Sequence, residues 1–278
     1  MTTADVSVAA IAQEIAARRG SRHLLLLCDF DGTLARFDPD PRAVCLPDAV
    51  AAALGRLASS RDCSVGVISG RRLQDVRDRV TVPGELYIAG FHGLEIHAPG
   101  ESFIHPDASA AAAALHALAA IVGPRLAALA GVFIEDKDLS IALHYREASP
   151  ADRLLAEARF LDAARAEIEA GRLRVLPGSY VVELLPSTSW HKGSALEWIR
   201  TRVEVLHGPV FTVYLGDDVT DEDGFRAVGP DGIAIGASDR VREAEFRIDG
   251  PAAVALLLQA LAARLAAPSA PRSATSTP

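Results

Sequence analysis

The amino-acid sequence predicts an α/β fold, a Rossmann-like three-layer arrangement in which helices cover a parallel β-sheet, with a smaller α+β domain inserted into it. Three observations lead to this prediction. Short apolar runs alternate with helical patterns along much of the chain, which is typical of parallel sheets covered by helices. Three of those runs end in polar or charged residues. The middle of the chain has a different order of predicted elements, in which each helix is followed by two strands.

Short apolar runs predict the strands of the parallel sheet. These strands are expected over residues 24–28, 64–68, 86–89, 211–215 and 232–235. Helical patterns lie between and after them. These helices are expected over residues 48–59, 71–79, 192–202 and 252–265.

The helix-strand-strand unit occurs twice in the middle of the chain. Its elements are expected to be a helix over 107–130 with strands over 132–134 and 139–146, then a helix over 151–170 with strands over 173–176 and 180–185. We therefore predict a domain over 105–186, inserted into a core formed by 1–104 and 187–266. The final segment, 267–278, has nothing to bury and is predicted to be disordered.

Length and charge narrow the class of protein. A chain of 278 residues is long enough for about two domains. Its 28 basic and 36 acidic side chains give a formal net charge of -8, which disfavours a nucleic acid as the main partner. A small molecule is the expected ligand, because a few cations and backbone amides can still bind a phosphate locally. We expect a monomer or a weak dimer.

Cysteine usage and hydropathy suggest the compartment. Cys28, Cys45 and Cys63 show neither metal-ligand spacing nor an even disulfide framework, as expected in a reducing cytosol. The N-terminal residues lack the features of a signal peptide, since Asp5 and Glu14 interrupt their apolar pattern. No apolar run approaches the roughly 18 residues that span a bilayer. We therefore expect a cytoplasmic protein that does not bind membranes.

Carboxylates follow two of the predicted strands. Asp29 and Asp31 directly follow the first strand, and Asp217 and Asp218 follow the strand over 211–215. Ligand sites in open α/β sheets lie beyond the carboxyl ends of the strands, so these side chains are expected to meet at one edge. Clustered acids repel one another unless a cation lies between them. Mg²⁺ fits, because it is commonly held by one or two carboxylates together with water and phosphate oxygens.

The same edge offers groups for chemistry on a phosphate. An aspartate beside the metal can attack phosphorus to form an aspartyl-phosphate, and a second one can protonate the leaving oxygen and then activate water. Gly32 allows close approach of the backbone, and Thr33 can donate a hydrogen bond. Lys192, at the expected start of a helix, combines a positive charge with a helix N-terminus. Ser69 follows the second strand and can bind the same oxygens.

Four short motifs resemble, in order, those of the haloacid dehalogenase-like phosphatase superfamily. They are DFDGT at 29–33, SG at 69–70, the lysine at 192 and GDDVTDED at 216–223. The resemblance implies that Asp29 is the nucleophile and Asp31 the general acid and base. The metal ligands it implies are Asp29, the main-chain carbonyl of Asp31, Asp217, and Asp218 and Asp221 at or just behind the metal. The expected phosphate ligands are Gly32, Thr33, Ser69, Gly70, Arg71 and Lys192.

Longer segments are similar to trehalose-6-phosphate phosphatases. They are SGRRLQDV from 69, AGFHGLEI from 89, FIEDKDLSIALHYR from 133 and YLGDDVTDEDGF from 214, and the similarity covers most of 23–250. It implies hydrolysis of trehalose 6-phosphate, with the middle domain as a cap that closes over the sugar. The residues expected to bind the sugar are Glu135, Lys137, Arg146 and Glu183. His92 is a further candidate for substrate binding. The alternative role is that of a polar residue that flanks a tight glycine turn.

Departures from the family pattern keep other functions open. The family usually reads GKxVxExRP where this chain reads GSYVVELLP, so Ser179 and Leu185 replace a lysine and an arginine. Asp138 stands where glycine is common. These changes favour a phosphatase for another glycosyl phosphate, such as sucrose phosphate or a glycosyl-glycerate phosphate. A phosphomutase and a catalytically silent sugar-phosphate-binding regulator are further alternatives. An acidic calcium loop at 216–223 is disfavoured, because the EF-hand spacing is missing.

Overall fold

The structure is a computed structural model that describes residues 7–38, 40, 42–178 and 180–266. The helices of these residues are α1 (Val8–Arg19), α2 (Asp48–Ala58), α3 (Leu73–Arg79), α4 (Pro106–Leu126), α5 (Pro150–Glu169), α6 (Lys192–His207), α7 (Glu222–Val228) and α8 (Gly250–Ala266). Their strands are β1 (His23–Cys28), β2 (Cys63–Ile68), β3 (Leu86–Gly90), β4 (Glu95–Ala98), β5 (Glu101–Ile104), β6 (Phe133–Asp136), β7 (Ile141–His144), β8 (Leu173–Gly178), β9 (Val181–Pro186), β10 (Val210–Gly216), β11 (Ile233–Gly236) and β12 (Phe246–Arg247). The chain divides into two compact units. The first holds the residues before Phe103 and those from Trp190 onward, and the second is Phe103–Ser189.

The main sheet has eight strands in the order β12-β11-β10-β1-β2-β3-β4-β5. β1 lies near its centre and pairs in parallel with β10 on one side and β2 on the other. β11 and β3 extend the parallel part outward, whereas β4 runs antiparallel to β3. The predicted parallel sheet is confirmed, and its order brings the ends of β10, β1 and β2 side by side.

Side chains of β1 alternate between two cores. Leu24, Leu26 and Cys28 lie in one hydrophobic core with side chains of α1, α2 and α8. Leu25 and Leu27 are equally buried on the opposite face, where α6 contacts β1. A central strand covered on both faces needs apolar side chains on both, which explains the unbroken run of leucines. The first unit therefore has three layers, as predicted.

The structure contains elements that the sequence patterns did not predict: α1, β4, β5, α7 and β12. Ser7 caps α1, because its Oγ accepts a hydrogen bond from the N–H of Ala10 at 3.3 Å. Ile11 and Ile15 are buried on the inner face of this helix. The predicted start of α3 at residue 71 is wrong by two residues, since Arg72 has an extended backbone with ψ 143 and the helix begins after it.

The second unit is an antiparallel sheet in the order β6-β7-β9-β8, with α4 and α5 packed against it. Its core joins Leu115 and Phe160 of the helices to Ile141, Leu143 and Leu184 of the strands. Alternate residues of a strand point to opposite faces, so the strands present a second set of side chains away from this core. The order helix, strand, strand occurs twice, as the sequence predicts.

The strand β7 is shorter than predicted, because it covers Ile141–His144 rather than 139–146. A turn takes the place of its first residues, and in it the N–H of Lys137 donates to the carbonyl oxygen of Ser140 at 2.9 Å. Asp138 lies in this turn with φ +69. The glycine common at this position in the resembled family would adopt that conformation without strain.

One helix among the described residues, α4, is long and apolar enough by length and composition to cross a membrane. The sequence predicts no such segment, so this finding differs from the prediction. The buried side chains Leu115, Leu118, Val122 and Leu126 of α4 belong to the core of the second unit. A core helix of this kind passes the same test, which makes it weak evidence for a membrane span. The tail predicted to be disordered, 267–278, lies outside the described residues.

Candidate active site

Three parallel strands end side by side at the edge of the main sheet where polar residues begin. Cys28, the last residue of β1, lies opposite Leu215 of β10 and Val67 of β2. Each strand then reaches a polar side chain of the predicted site within two residues. Those side chains are Asp29, Asp217 and Ser69. The predicted meeting of the strand ends is confirmed.

A tight turn follows β1. The carbonyl oxygen of Phe30 accepts hydrogen bonds from the N–H groups of Leu34 and Ala35, both at 2.9 Å. Gly32 lies within this turn with φ +82, in the left-handed region. A Cβ atom at this position would lie 2.3 Å from Oδ2 of Asp217. Backbone conformation and space therefore both require glycine.

Three buried carboxylates lie close enough to share one cation. Asp29, Asp217 and Asp221 each offer an oxygen atom, and these atoms lie within 4.8 Å of one another. The three residues are 5%, 3% and 0% exposed, respectively. Buried like charges at this distance are unfavourable unless cations neutralise them.

Lys192, the first residue of α6, supplies one such cation. Its Nζ donates to Oδ1 of Asp29 and to Oδ1 of Asp221, at 2.7 Å in each case. Burial lowers the pKa of Lys192, but the two carboxylates outweigh burial and hold the pKa above its ordinary value. The ammonium group therefore stays charged beside the predicted nucleophile.

Asp221 accepts four hydrogen bonds. Its Oδ1 accepts from Nζ of Lys192 at 2.7 Å and from the hydroxyl of Tyr214 at 2.6 Å. Its Oδ2 accepts from the backbone N–H groups of Asp217 and Asp218, each at 3.0 Å. Asp221 therefore fixes the lysine, the tyrosine and the backbone of the acidic motif in one arrangement.

Asp217 is held by two donors. Oγ1 of Thr33 donates to its Oδ1 at 3.2 Å, and Nη2 of Arg240 donates to its Oδ2. Burial and the nearby Asp221 raise the pKa of Asp217, while Arg240 and Thr33 act in the opposite direction without cancelling the rise. Asp218 is half exposed, and Nη1 of Arg240 lies 3.7 Å from its Oδ2. Arg240 thus contacts both neighbouring carboxylates.

Asp31 is paired with Arg71. Nε and Nη2 of Arg71 donate to the two carboxylate oxygens of Asp31, at 2.6 and 2.7 Å. Nη1 of Arg71 donates to Asp75 at 2.9 Å, and the guanidinium stands over the ring of Phe30. A fork of two parallel hydrogen bonds fixes the orientation of a carboxylate more strongly than a single bond does. In this structure Arg71 therefore positions Asp31, and its predicted contact with phosphate stays a prediction.

The loop after β2 lies against His92. The Oγ of Ser69 accepts from the N–H of Arg71 at 3.2 Å, and the carbonyl oxygen of Ser69 accepts from the N–H of His92 at 2.8 Å. A Cβ atom on Gly70 would lie 2.8 Å from Cε1 of the His92 ring. His92 has φ +58 and precedes Gly93, so it lies in a glycine turn beside the predicted phosphate-binding loop. Both sequence interpretations of His92 agree with this position.

The second unit brings three of its predicted sugar-binding residues together. Nζ of Lys137 lies 3.2 Å from Oε1 of Glu183 and 4.0 Å from Oε2 of Glu135. Ser140 donates to the same Oε1 at 2.5 Å, and Nε2 of His144 lies 2.9 Å from Oε2 of Glu135. These side chains form a compact polar cluster on the second sheet.

Arg146 follows the last residue of β7 by two positions, and its guanidinium stands 5.2 Å from the centre of the Tyr180 ring. Leu185, which replaces the expected arginine, is buried, and its cross-strand partner on β8 is Arg174. Ser179, which replaces the expected lysine, lies outside the described residues.

The sequence patterns give no role in binding or catalysis to three side chains at the site: Tyr214, Arg240 and Asp75. Tyr214 carries a detectable signal, because a hydroxyl at the end of a buried strand needs a hydrogen-bond partner. Arg240 carries none. It lies 23 residues after Asp217, and only the folded loop brings the two together.

Comparisons with known proteins identify the family that the chain resembles. The model of the trehalose-phosphatase family matches residues 27–245. The trehalose-phosphate phosphatase of Mycobacterium marinum is 40% identical over 244 residues, which cover 85% of this chain and 61% of the relative. The chain therefore spans less than two thirds of that relative's length.

Solved structures agree with the fold. A trehalose-6-phosphate phosphatase of Aspergillus fumigatus matches with a TM-score of 0.63 and 26% identity, covering 91% of this chain and 97% of that one. A haloacid dehalogenase-like hydrolase from Bacteroides thetaiotaomicron matches with a TM-score of 0.57 and 14% identity, covering 86% and 99%. The predicted fold class is confirmed. Because the family model matches most of the sequence and a relative at 40% identity spans 85% of it, the chain belongs to the trehalose-phosphatase family.

Proposed function

We propose that the chain is a Mg²⁺-dependent phosphatase that hydrolyses trehalose 6-phosphate to trehalose and phosphate through an aspartyl-phosphate on Asp29. The observation that carries the proposal is the meeting of Asp29, Asp217 and Lys192 at the strand ends of a chain from the trehalose-phosphatase family. The core is proposed to provide the chemistry, and the second unit, as a cap, to provide the selectivity for the sugar.

The residues at the strand ends fit a magnesium ion. Four carboxylates, those of Asp29, Asp217, Asp218 and Asp221, are accompanied by two cations, Lys192 and Arg240, which leaves two negative charges unbalanced. All available side-chain ligands are oxygens, which Mg²⁺ prefers. We propose Asp29, the carbonyl of Asp31, Asp217 and Asp218 as ligands. Asp221 would lie behind the ligands and hold them in place without binding the metal, since its oxygens already accept hydrogen bonds from four protein donors.

When bound, Mg²⁺ would neutralise charge that develops on the phosphoryl oxygens. Asp29 would attack phosphorus with the oxygen that Lys192 does not hold, so that the ammonium group orients the nucleophile and faces the same phosphoryl group. Ser69 and the backbone around Gly32 and Thr33 would bind the remaining phosphate oxygens. These residues hold the phosphoryl group in line with the attacking carboxylate.

Asp31 would transfer the protons. It would first protonate the leaving sugar oxygen and then take a proton from the water that hydrolyses the aspartyl-phosphate. Both of its oxygens accept hydrogen bonds from Arg71, and each oxygen keeps a second lone pair that can take up a proton. Arg71 would thus keep Asp31 oriented between the two steps.

Selectivity for the sugar is proposed to come from the polar cluster of Glu135, Lys137 and Glu183. Carboxylate acceptors next to an ammonium donor match the hydroxyl groups of a sugar. Arg146 is included among the proposed sugar-binding residues only because of the resemblance to trehalose-6-phosphate phosphatases. A phosphatase for another glycosyl phosphate is the second candidate, because Leu185 removes a cation that the family pattern contains.

Release of inorganic phosphate from a panel of sugar phosphates tests the proposal. Trehalose 6-phosphate is expected to give the highest kcat/KM, ahead of sucrose 6-phosphate and glucose 6-phosphate, and EDTA is expected to abolish release. Asp29→Asn should be inactive, whereas the control Asp231→Asn, at an exposed position, should behave as wild type. Equal rates with trehalose 6-phosphate and glucose 6-phosphate would overturn the sugar assignment. An active Asp29→Asn would overturn the chemistry.

A further inference from the structure

The loop that follows β11 is fastened to the acidic motif after β10. The Oγ of Ser238 donates to the backbone carbonyl of Asp217. The carboxylate of Glu222 accepts from the N–H groups of Arg242 and of the next residue, at 2.6 and 2.9 Å. Val241, between these anchors, is fully buried. The loop therefore has a fixed position over the carboxylates of the motif.

This loop carries Arg240 onto the proposed metal ligands. Nη2 of Arg240 donates to Oδ2 of Asp217, and Nη1 lies 3.7 Å from Oδ2 of Asp218. The backbone N–H of Arg240 donates to Oγ of Ser238 at 3.1 Å, so the start of the side chain is also held. Beyond that point the side chain is 58% exposed and can move into solvent.

We propose that Arg240 is a counter-cation that competes with the divalent cation for Asp217 and Asp218, and so weakens the metal affinity of the site. The inference rests on the proposed function, because it takes these two carboxylates as metal ligands. A divalent cation on the same carboxylates repels the guanidinium, so binding must loosen the pair. Without the arginine, the carboxylates are less neutralised and attract the cation more strongly.

Binding of Mg²⁺ to the full chain, without substrate, tests this competition. Calorimetry and thermal-shift titration after removal of metal with EDTA would compare wild type with Arg240→Gln and Arg240→Lys. The control is Arg242→Gln, which removes the same charge from a residue whose contact in the loop is made by its backbone N–H.

Arg240→Gln is expected to lower the Kd for Mg²⁺ by about 3- to 10-fold, a modest change because the pair is partly exposed. Arg240→Lys should fall between this variant and wild type, and Arg242→Gln should match wild type. High ionic strength should reduce the difference, since salt screens exposed charges.

Two results would overturn the inference in distinguishable ways. If wild type binds Mg²⁺ and Arg240→Gln binds it equally or more weakly, Arg240 does not compete, while the proposed function stands. If Asp217→Asn binds Mg²⁺ as well as wild type does, Asp217 is not a ligand. The metal site of the proposed function then fails together with the competition.

Discussion

Removing the hydroxyl of Tyr214 tests whether Asp221 depends on its full set of donors. The ring of Tyr214 is completely buried, and its hydroxyl donates to Oδ1 of Asp221 at 2.6 Å. Asp221 is completely buried as well, so solvent does not reach the carboxylate in the folded chain. Tyr214→Phe keeps the packing of the ring and leaves the carboxylate with three donors instead of four. A hydrogen bond to a charged group contributes about 1.5–3 kcal/mol, so we expect the free energy of unfolding to fall by about 2 kcal/mol.

Urea denaturation at pH 7, followed by circular dichroism, measures this change as a lower midpoint with an unchanged slope. Tyr87→Phe is the matched control, because Tyr87 is also buried but its hydroxyl makes no hydrogen bond to any residue that the structure describes. We expect this control to stay within about 0.5 kcal/mol of wild type. A loss for Tyr214→Phe no larger than that of the control would refute the claim that the fourth donor matters.

Three further predictions concern Gly32 in the turn after β1, the pH dependence of stability, and Lys137 in the polar cluster of the second unit. Gly32→Ala should lower phosphate release by about a hundredfold, because the added Cβ would lie 2.3 Å from the carboxylate of Asp217; near wild-type activity would contradict this close approach. Burial and a neighbouring histidine lower the pKa of His23 from 6.5 to about 4. Between these two pH values the unfolded chain binds a proton on His23 that the folded chain does not. The free energy of unfolding should therefore fall by about 1 kcal/mol from pH 7 to pH 5, a value reduced because the ring is partly exposed to solvent. Urea titrations at the two pH values should show that His23→Phe lacks this part of the pH dependence. An identical pH dependence in both proteins would contradict the prediction. Lys137→Gln should raise KM for trehalose 6-phosphate about 5- to 10-fold with little change in kcat, because it removes the ammonium group 3.2 Å from Glu183; an unchanged KM would exclude this lysine from sugar binding.

The positions of the core site could be predicted from the sequence because strand ends are local features. An apolar run followed by acids identifies both a buried strand and the edge at which it ends. The order of strands β10, β1 and β2 then brings Asp29, Asp217 and Ser69 to the same place. No knowledge of side-chain partners is needed for that step.

Partners across the site could not be predicted in this way. Arg71 was expected at the phosphate, yet its guanidinium pairs with Asp31, a choice that depends on how the turn after β1 faces the start of α3. The contact of Arg240 with Asp217 joins two segments whose relation only the folded loop defines. Pairings of this kind depend on distances between loops, and no periodic pattern in the sequence encodes them.

Missed elements have a different cause. The helix α1 carries an ordinary signature, a serine cap at Ser7 and apolar residues Ile11 and Ile15 spaced by one turn. The strands β4 and β5 contain only four residues each. Pairing at the edge of an existing sheet, of β4 with β3 and of β5 with β4, determines that they are strands, rather than their own composition.

Capture of the phosphoryl group by Asp29 is the step on which the proposed function depends. Rapid quenching of the protein during incubation with ³²P-labelled trehalose 6-phosphate, followed by peptide mass spectrometry, tests this step most directly. We expect a transient, alkali-labile phosphate on the peptide that contains Asp29, absent from Asp29→Asn and from protein treated with EDTA. Phosphate on a different residue, or phosphate release by Asp29→Asn at the wild-type rate, would contradict it.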